Sequence, residues 1–307
     1  MKKVEILGLA TVPQIEAGDK LGEIIVGCAE DEAGGIEERD VIVVTSKIVS
    51  KAENRVIALR EVKPDPKALR LATKTGKAAS RIQLILDDGQ DILAVIPLPG
   101  LAEKYIMHST SKPDQARQLL DKERCILVTR DREGRVHTYD GGIDSSNHPE
   151  GVASLPPLDP DRSAREIRNA IEKLTGKRVA VLIADTEIVP FGSIDLATGC
   201  SGIEPISKKF GEPDMFGKPK FGGMDIIAYE LTAAAALLLG QTDEGVPVAI
   251  VRGLDYVPNE EENILNTLVA DPAQLGRTAR SAIAATTNIG GFKGRMLSWV
   301  LRLFALS

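Results

Sequence analysis

Four short stretches carry residues whose types and spacing suit chemistry on a phosphate. "VVTSKIVSK" brings Ser46, Lys47 and Lys51 together, with the lysines four apart, so that on a helix both ammonium groups share a face. "GGIDSSN" sets Asp144 and Asn147 three residues apart on a glycine-rich bend. "IADTE" supplies Asp185, Thr186 and Glu187, and "GQTDEG" supplies Gly240, Gln241, Thr242, Asp243 and Glu244. Aspartate, threonine and glutamine are hard oxygen ligands of the kind Mg2+ or Mn2+ takes. Lysine holds phosphate as a point charge, and glycine lets backbone approach it closely. Each stretch alone also has a plainer reading: solvated lysines, an Asx-turn, a helix cap and a helix C-terminus. Their recurrence at the ends of apolar runs, where α/β sheets bind ligands, favours one shared site.

Several other chemistries are excluded. The chain has no G-x-x-x-x-G-K-[ST], G-x-G-x-x-G or G-x-S-x-G. His108, His137 and His148 lack metal-ligand spacing and read as solvent or turn residues. Cys28, Cys125 and Cys200 are far apart and odd in number, which argues against disulfides or structural zinc and for buried apolar fillers. A net charge of -6 and 4% aromatics speak against nucleic acid as a partner. The N-terminal "MKKVEILGLATVPQI" has no apolar run of signal-peptide length and reads as a first strand, so the expectation is a cytoplasmic protein.

The elements that must position these groups are legible in outline. "KVEILGL" reads as a strand, "LGEIIVGCAEDEA" as a helix, and the β-branched run Val41–Val44 as a buried strand. "PDPKALRLATKTGKAASRIQLILDD" has the spacing of one or two helices broken at Gly76, and "ILAVIPLPG" of a strand. Residues 101–121 are polar and helix-like, and "RCILVTRDREGRVHTYD" predicts a hairpin turning at "DREG". "SAREIRNAIEKLTGK" predicts a helix capped by Ser163 and ended by Gly176. "RVAVLIADTEI" reads as a strand running into an acidic turn, "MDIIAYELTAAAALLLGQ" as a helix ending at Gly240, and "VPVAIVRGL" as a last buried strand. Strands and helices alternate, which predicts an α+β fold with a mixed α/β sheet.

In their order and separations, "VVTSKIVSKAE", "GIDSSN", "IADTE" and "GQTDEGVPVAIVRG" resemble the F420-0:gamma-glutamyl ligase family, also called coenzyme F420:L-glutamate ligases. "LATKTGKAASRIQLIL" is similar to that family's helix before the central strands. The resemblance covers about residues 1–255, with an insertion around 95–122, and leaves 256–307 as a C-terminal helical extension. It implies a fold that is neither P-loop nor Rossmann, an intertwined homodimer, and a GTP-dependent ligase using two divalent ions, Mg2+ or Mn2+, with K+ as a further candidate. Its small-molecule substrates would be GTP, L-glutamate and F420-0 or a similar carboxylate.

Carried over by motif, the loop Thr11, Val12, Pro13 and Gln14 would contact the nucleotide, as would Asn147, Gly240 and Thr242. Ser46, Lys47 and Lys51 would contact its phosphates. Asp144 would hold a divalent metal, Asp185 would bind the first metal and Thr186 the second, Gln241 would complete the second metal site, and Asp144, Asp185 and Lys51 would carry catalysis. After the "DT" pair the family continues with a GRPWRxG-type segment, whereas this chain reads "DTEIVPFGSIDLATGCSGI" and lacks that tryptophan and arginine. The rival readings are the same ligation on another carboxylate acceptor and a nucleotide-binding relative that no longer ligates. In the tail, Phe292, Met296, Trp299, Val300 and Leu303 share a helical face, read as a docked helix in preference to one lying on a membrane.

Overall fold

The computed structural model describes residues 3–98, 101–189 and 192–268. The expected helix at 292–304 lies outside them. β1 (Glu5–Leu9) and α1 (Leu21–Glu32) lead to β2 (Val41–Thr45), which passes without a loop into α2 (Ser46–Ala52). β3 (Val56–Ala58), α3 (Pro66–Thr75), α4 (Ala79–Asp87) and β4 (Asp91–Pro97) follow. α5 (Leu101–His108) and α6 (Pro113–Lys122) fill the polar stretch, and β5 (Cys125–Arg130) with β6 (Val136–His137) form the expected hairpin. Then come β7 (Val152–Ser154), α7 (Pro160–Thr175), β8 (Ala180–Val189), β9 (Gly192–Ser201), α8 (Ile227–Leu239), β10 (Val248–Arg252) and α9 (Ile264–Leu268).

The central sheet has the order β1-β10-β2-β8-β9. β2 and β8 are parallel and the other neighbours antiparallel, so the sheet is mixed, as expected. The β-branched run of β2 sits at its centre because both of its faces are covered. Ile42 and Val44 pack into a core with α1 and α7, while Val41 and Val43 pack into a second core with α8. Tyr256 and Ile264 join the second core, so the chain beyond β10 still packs on the sheet as far as α9. A third cluster lies under α3, α4 and β5.

Two local expectations need correction. Ser163 does not cap α7. The cap is Asp159, whose Oδ1 accepts from Arg162 N at 3.0 Å, with Pro160 in the first turn, where a missing N–H costs nothing. Ser163 sits one turn inside, its hydroxyl turned to Glu53 and to the Asp159 carbonyl. Gly176, left-handed at φ 71°, does end the helix. The second correction is that "ADTE" is no turn. β8 continues through Asp185, Thr186 and Glu187 to Val189, paired throughout with β9.

Cys28, Cys125 and Cys200 are buried and unpaired, and burial raises the Cys125 and Cys200 thiols. Among the described residues no helix is long and apolar enough to cross a membrane.

Candidate functional site

β2 stops at Thr45, but the β8–β9 hairpin runs on past it, so residues 185–189 have a neighbour strand on one side only. The step beyond β2 is where the sheet turns polar. Alternation sends Asp185 and Glu187 to one face and Thr186 to the other, and Thr186 stands opposite Asp195 of β9. Asp185 Oδ1 accepts from Ser46 Oγ at 2.9 Å and from Thr186 N at 3.0 Å. Thr186 Oγ1 is 2.7 Å from Asp195 Oδ1 and 3.1 Å from Gln241 Oε1, and Gln241 Nε2 donates to Asp195 Oδ1 at 2.9 Å.

These groups form one wall of a cavity of about 410 Å³, within the range of about 300–1,000 Å³ usual for small-molecule sites. The first loop contributes Val12, Pro13 and Gln14, and α2 contributes Ser46, Lys47 and Lys51. The bend after β6 contributes Asp144, Ser146 and Asn147, and the loop after α8 contributes Gly240, Gln241 and Thr242. Every site residue that the family resemblance carries over thus meets in one place except Thr11, and Glu187 of the "IADTE" stretch also stays outside the lining. Thr11 has its N–H and hydroxyl both held by the Glu32 carboxylate at 2.9 and 2.5 Å.

Charge is distributed unevenly along the walls. Lys47 Nζ bonds Asp144 Oδ2 and also donates to the carbonyl and hydroxyl of Ser146 at 2.8 Å each. Ser146 N returns a bond to Asp144 Oδ1 at 2.7 Å. Burial pushes the Asp144 carboxyl up, but the Lys47 ammonium and the bonds from Lys47 and Ser146 outweigh it and hold it below the usual range. Lys51 is half-buried, and among the described residues its ammonium has no hydrogen bond or ion pair. Burial, then the neighbouring Lys47 charge, lowers its pKa. Asp185 and Asp195 likewise have no lysine or arginine in ion-pair range among the described residues. Burial first, then the Glu187 charge, pushes Asp185 up to about 6 against the Ser46 bond, the His137 charge and the Thr186 N–H.

The glycine-rich bend differs from its sequence reading. Asp140, Gly141, Gly142 and Asn147 all have positive φ. Yet Gly141 and Gly142 do not line the cavity, and a Cβ on Gly141 would stand 2.6 Å from Gln90 Oε1. Gly141 therefore lets the bend pack on Gln90, and only the Asp144–Asn147 part faces the cavity. Asn147 Nδ2 donates to the Thr242 carbonyl at 2.9 Å, joining the two loops across the mouth.

Gly240, at φ 69° and ψ -178°, lines the cavity in a backbone conformation that favours glycine. A Cβ there would meet the Glu244 side chain at 2.2 Å. His137 also departs from expectation. It is buried, with Nε2 3.5 Å from Asp131 and Nδ1 3.9 Å from Glu187. Glu187 itself accepts from Thr138 N at 2.7 Å and ties β8 to the segment after β6. Asp195 was missed by sequence reasoning. Its signal was a lone acid inside an otherwise apolar strand, "SIDLA".

The fold and cavity define an α+β small-molecule site without P-loop or Rossmann architecture, lined by both ammonium and carboxylate groups. The family model described as F420-0:Gamma-glutamyl ligase matches residues 10–253, and the chain belongs to that family. Coenzyme F420:L-glutamate ligase of Methanothermobacter thermautotrophicus is 34% identical over 255 residues, covering 82% of this chain and 90% of that protein. The protein of the same name from Archaeoglobus fulgidus is 34% identical over 255 residues, covering 82% and 89%. That from Methanocaldococcus jannaschii is 35% identical over 256 residues, covering 82% and 88%.

Proposed function

We propose that this chain is a GTP- and divalent-cation-dependent ligase that joins the α-amine of L-glutamate to a carboxylate of F420-0. The names of the family and of the relatives supply F420-0 and L-glutamate, and GTP and the metal ions are the reading of the cavity's charges. The observation that carries the reading is the meeting, in one cavity, of a half-buried Lys51 ammonium that has no ion pair among the described residues with the carboxylates Asp185 and Asp195, which have no lysine or arginine in ion-pair range among them. A polyphosphate answers the first, and metal ions answer the second.

The donor set fits hard divalent ions. All its ligand atoms are oxygens, from Asp144, Asp185, Asp195, Thr186 and Gln241. Among the described residues no group of three or more His, Cys, Asp or Glu forms a ready cage. Mg2+ in phosphoryl-transfer sites takes one or two carboxylates and completes its shell with phosphate and water. Asp144 and Asp185 would hold one ion, and Thr186 and Gln241, with Asp195 behind them, the other. Bound there, the ions would neutralise charge growing on the transferred phosphoryl group.

The reaction then needs no protein nucleophile. A carboxylate oxygen of the acceptor attacks the γ-phosphorus of GTP, the bond to the β-phosphate oxygen breaks, and GDP leaves. The amine of L-glutamate attacks the resulting acyl phosphate, the C–O bond to phosphate breaks, and inorganic phosphate leaves as the amide forms and the amine gives up its protons. Lys51 holds phosphate oxygens throughout. Lys47, freed from Asp144 as that carboxylate turns to a cation, would do the same. Ser46 fixes one oxygen of Asp185, and Asn147 keeps the two loops closed over the nucleotide. Incubating the chain with GTP, Mn2+ or Mg2+, L-glutamate and F420-0 should give an acceptor heavier by one glutamyl residue, with GDP and phosphate in equal amounts. GTP turnover with no acceptor product by mass spectrometry would overturn the reading.

Lys51→Ala should weaken GTP binding by about 1.5–3 kcal/mol, the worth of a charge-assisted contact, and leave the KM for L-glutamate nearly unchanged. Unaltered GTP affinity by calorimetry would return Lys51 to an ordinary surface residue.

A homodimer is part of the proposal. Between β9 and α8 the segment 205–226 exposes Phe210, Met215, Phe216, Phe221 and Met224, the middle three at 98%, 86% and 91% for Met215, Phe216 and Phe221. So much apolar surface on one arm is costly in water unless another surface covers it. Phe216→Ser with Phe221→Ser should shift the light-scattering mass from dimer to monomer. A monomeric wild type would reject this part.

A further inference from the structure

Arg81, on the first turn of α4, lies outside the cavity, yet its guanidinium reaches the two residues that flank Asp144. Nη1 donates to the Ile143 carbonyl at 2.9 Å and Nη2 to the Ser145 hydroxyl at 2.8 Å. Asp144 itself is pinned through its backbone, which exchanges bonds of 3.0 and 2.8 Å with Ser154 at the end of β7. The bend needs such a hold, because its left-handed glycines Gly141 and Gly142 are free to adopt many conformations when unrestrained.

We propose that Arg81 is a positioning residue, a two-armed strap that fixes the Asp144 carboxylate for cation binding next to the nucleotide. The inference rests on the ligase reading above. The fork is the feature that matters, because only a planar guanidinium offers two donors at fixed spacing to acceptors on both sides of one residue. The strap is set from behind: Arg81 Nη1 is 3.9 Å from the buried Asp140 carboxylate, whose other oxygen accepts from Leu127 N at 2.9 Å. The Arg81 side chain is 12% exposed, so its two bonds are sheltered from water.

The test is calorimetric titration of the full chain with Mn2+·GDP, together with steady-state kinetics. Arg81→Gln stays polar but is shorter and has no fork, so both arms are lost, and Mn2+·GDP affinity should fall about tenfold or more, as when an outer partner of a metal ligand is lost. The KM for L-glutamate should stay within about twofold of wild type, which a general loss of structure would not allow. Ser145→Ala removes one arm only and should cost less. Combined with Arg81→Gln it should add almost nothing, because both changes cut the same strap.

Folded Arg81→Gln protein that binds Mn2+·GDP like wild type overturns the proposal. If Arg81→Gln does not fold, unaltered affinity in Ser145→Ala overturns it. A wild type that fails to bind Mn2+·GDP overturns the ligase reading and this inference with it. Binding wild type with equally binding variants removes the strap alone.

Discussion

Asp185→Asn should cut turnover by about 10²-fold or more and, at pH 7.5 without metal, raise the melting temperature. The first effect follows from charge: the amide keeps the shape but loses the negative oxygen that would hold a cation against the transferring phosphoryl group. The second follows from burial. Asp185 is pushed up to about 6 from an ordinary 3.8, so its ionised form is costly in the folded chain. A group with a raised folded pKa stabilises the fold below its unfolded pKa, and that contribution disappears as pH rises through the folded one. Above about pH 6 the wild type therefore carries a buried charge that weakens it. Asparagine can still accept from Ser46 Oγ and Thr186 N without that charge.

Water in the open cavity softens the effect, so the expected gain is about 1 kcal/mol, or about 2–4 °C. It should vanish near pH 4, where the native carboxyl is largely protonated. Asp144→Asn should behave oppositely. Its carboxyl is held below the usual range by Lys47, so its contribution is present at neutral pH and lost as pH falls. Thermal scans with chelator at pH 4 and pH 7.5 read both signs. An Asp185→Asn protein less stable than wild type at pH 7.5, or one with undiminished turnover, would refute the assignment.

The contrast between these two aspartates shows what a sequence can and cannot convey. That Asp144 and Asp185 stand together with Lys47, Lys51, Asn147, Thr186 and Gln241 was legible, because each lies in a short motif whose polar residues interrupt an apolar run. Their separate environments were not, because Glu187, His137 and Ser46 reach Asp185 from other segments. The end of β8 was misjudged for a related reason. Polarity reports what surrounds a side chain, whereas a strand continues as long as its neighbour pairs with it. β9 pairs with β8 as far as Val189, well past the last apolar contact with β2. Asp195 escaped notice because its importance lies in register, opposite Thr186, and register is not written in either strand alone. Thr11 was carried into the site by its position in a motif, although its donors are already taken by Glu32. The run Val41–Val44 and the stops at Gly76 and Gly176 could be read directly, because backbone sterics and two-sided burial act on the residues themselves.

Lys77→Met should destabilise the protein by about 3–5 kcal/mol, the usual cost of removing one partner from a buried ion pair. Lys77 follows the left-handed Gly76 that ends α3, and its side chain is 2% exposed. Its ammonium lies 2.7 Å from Asp140 Oδ2, on a residue with no exposed surface, and 2.6 Å from Glu123 Oε2. Burial alone would lower the Lys77 pKa, but the two carboxylates outweigh it and raise it above 10.5. Its contribution is therefore fully present at neutral pH and lost only as pH climbs past that range.

Methionine fills a similar volume, so the loss measures the stranded Asp140 charge more than a cavity. The melting temperature should fall by about 10 °C. Adding Asp140→Asn should restore most of it, because the amide can still accept from Leu127 N and carries no charge. The Lys77→Met protein should also bind Mn2+·GDP less tightly, since Asp140 stands at the root of the bend that carries Asp144 and Asn147. If Lys77→Met melts within about 2 °C of wild type, or if Asp140→Asn deepens its loss, the pair is not what holds this bend in place.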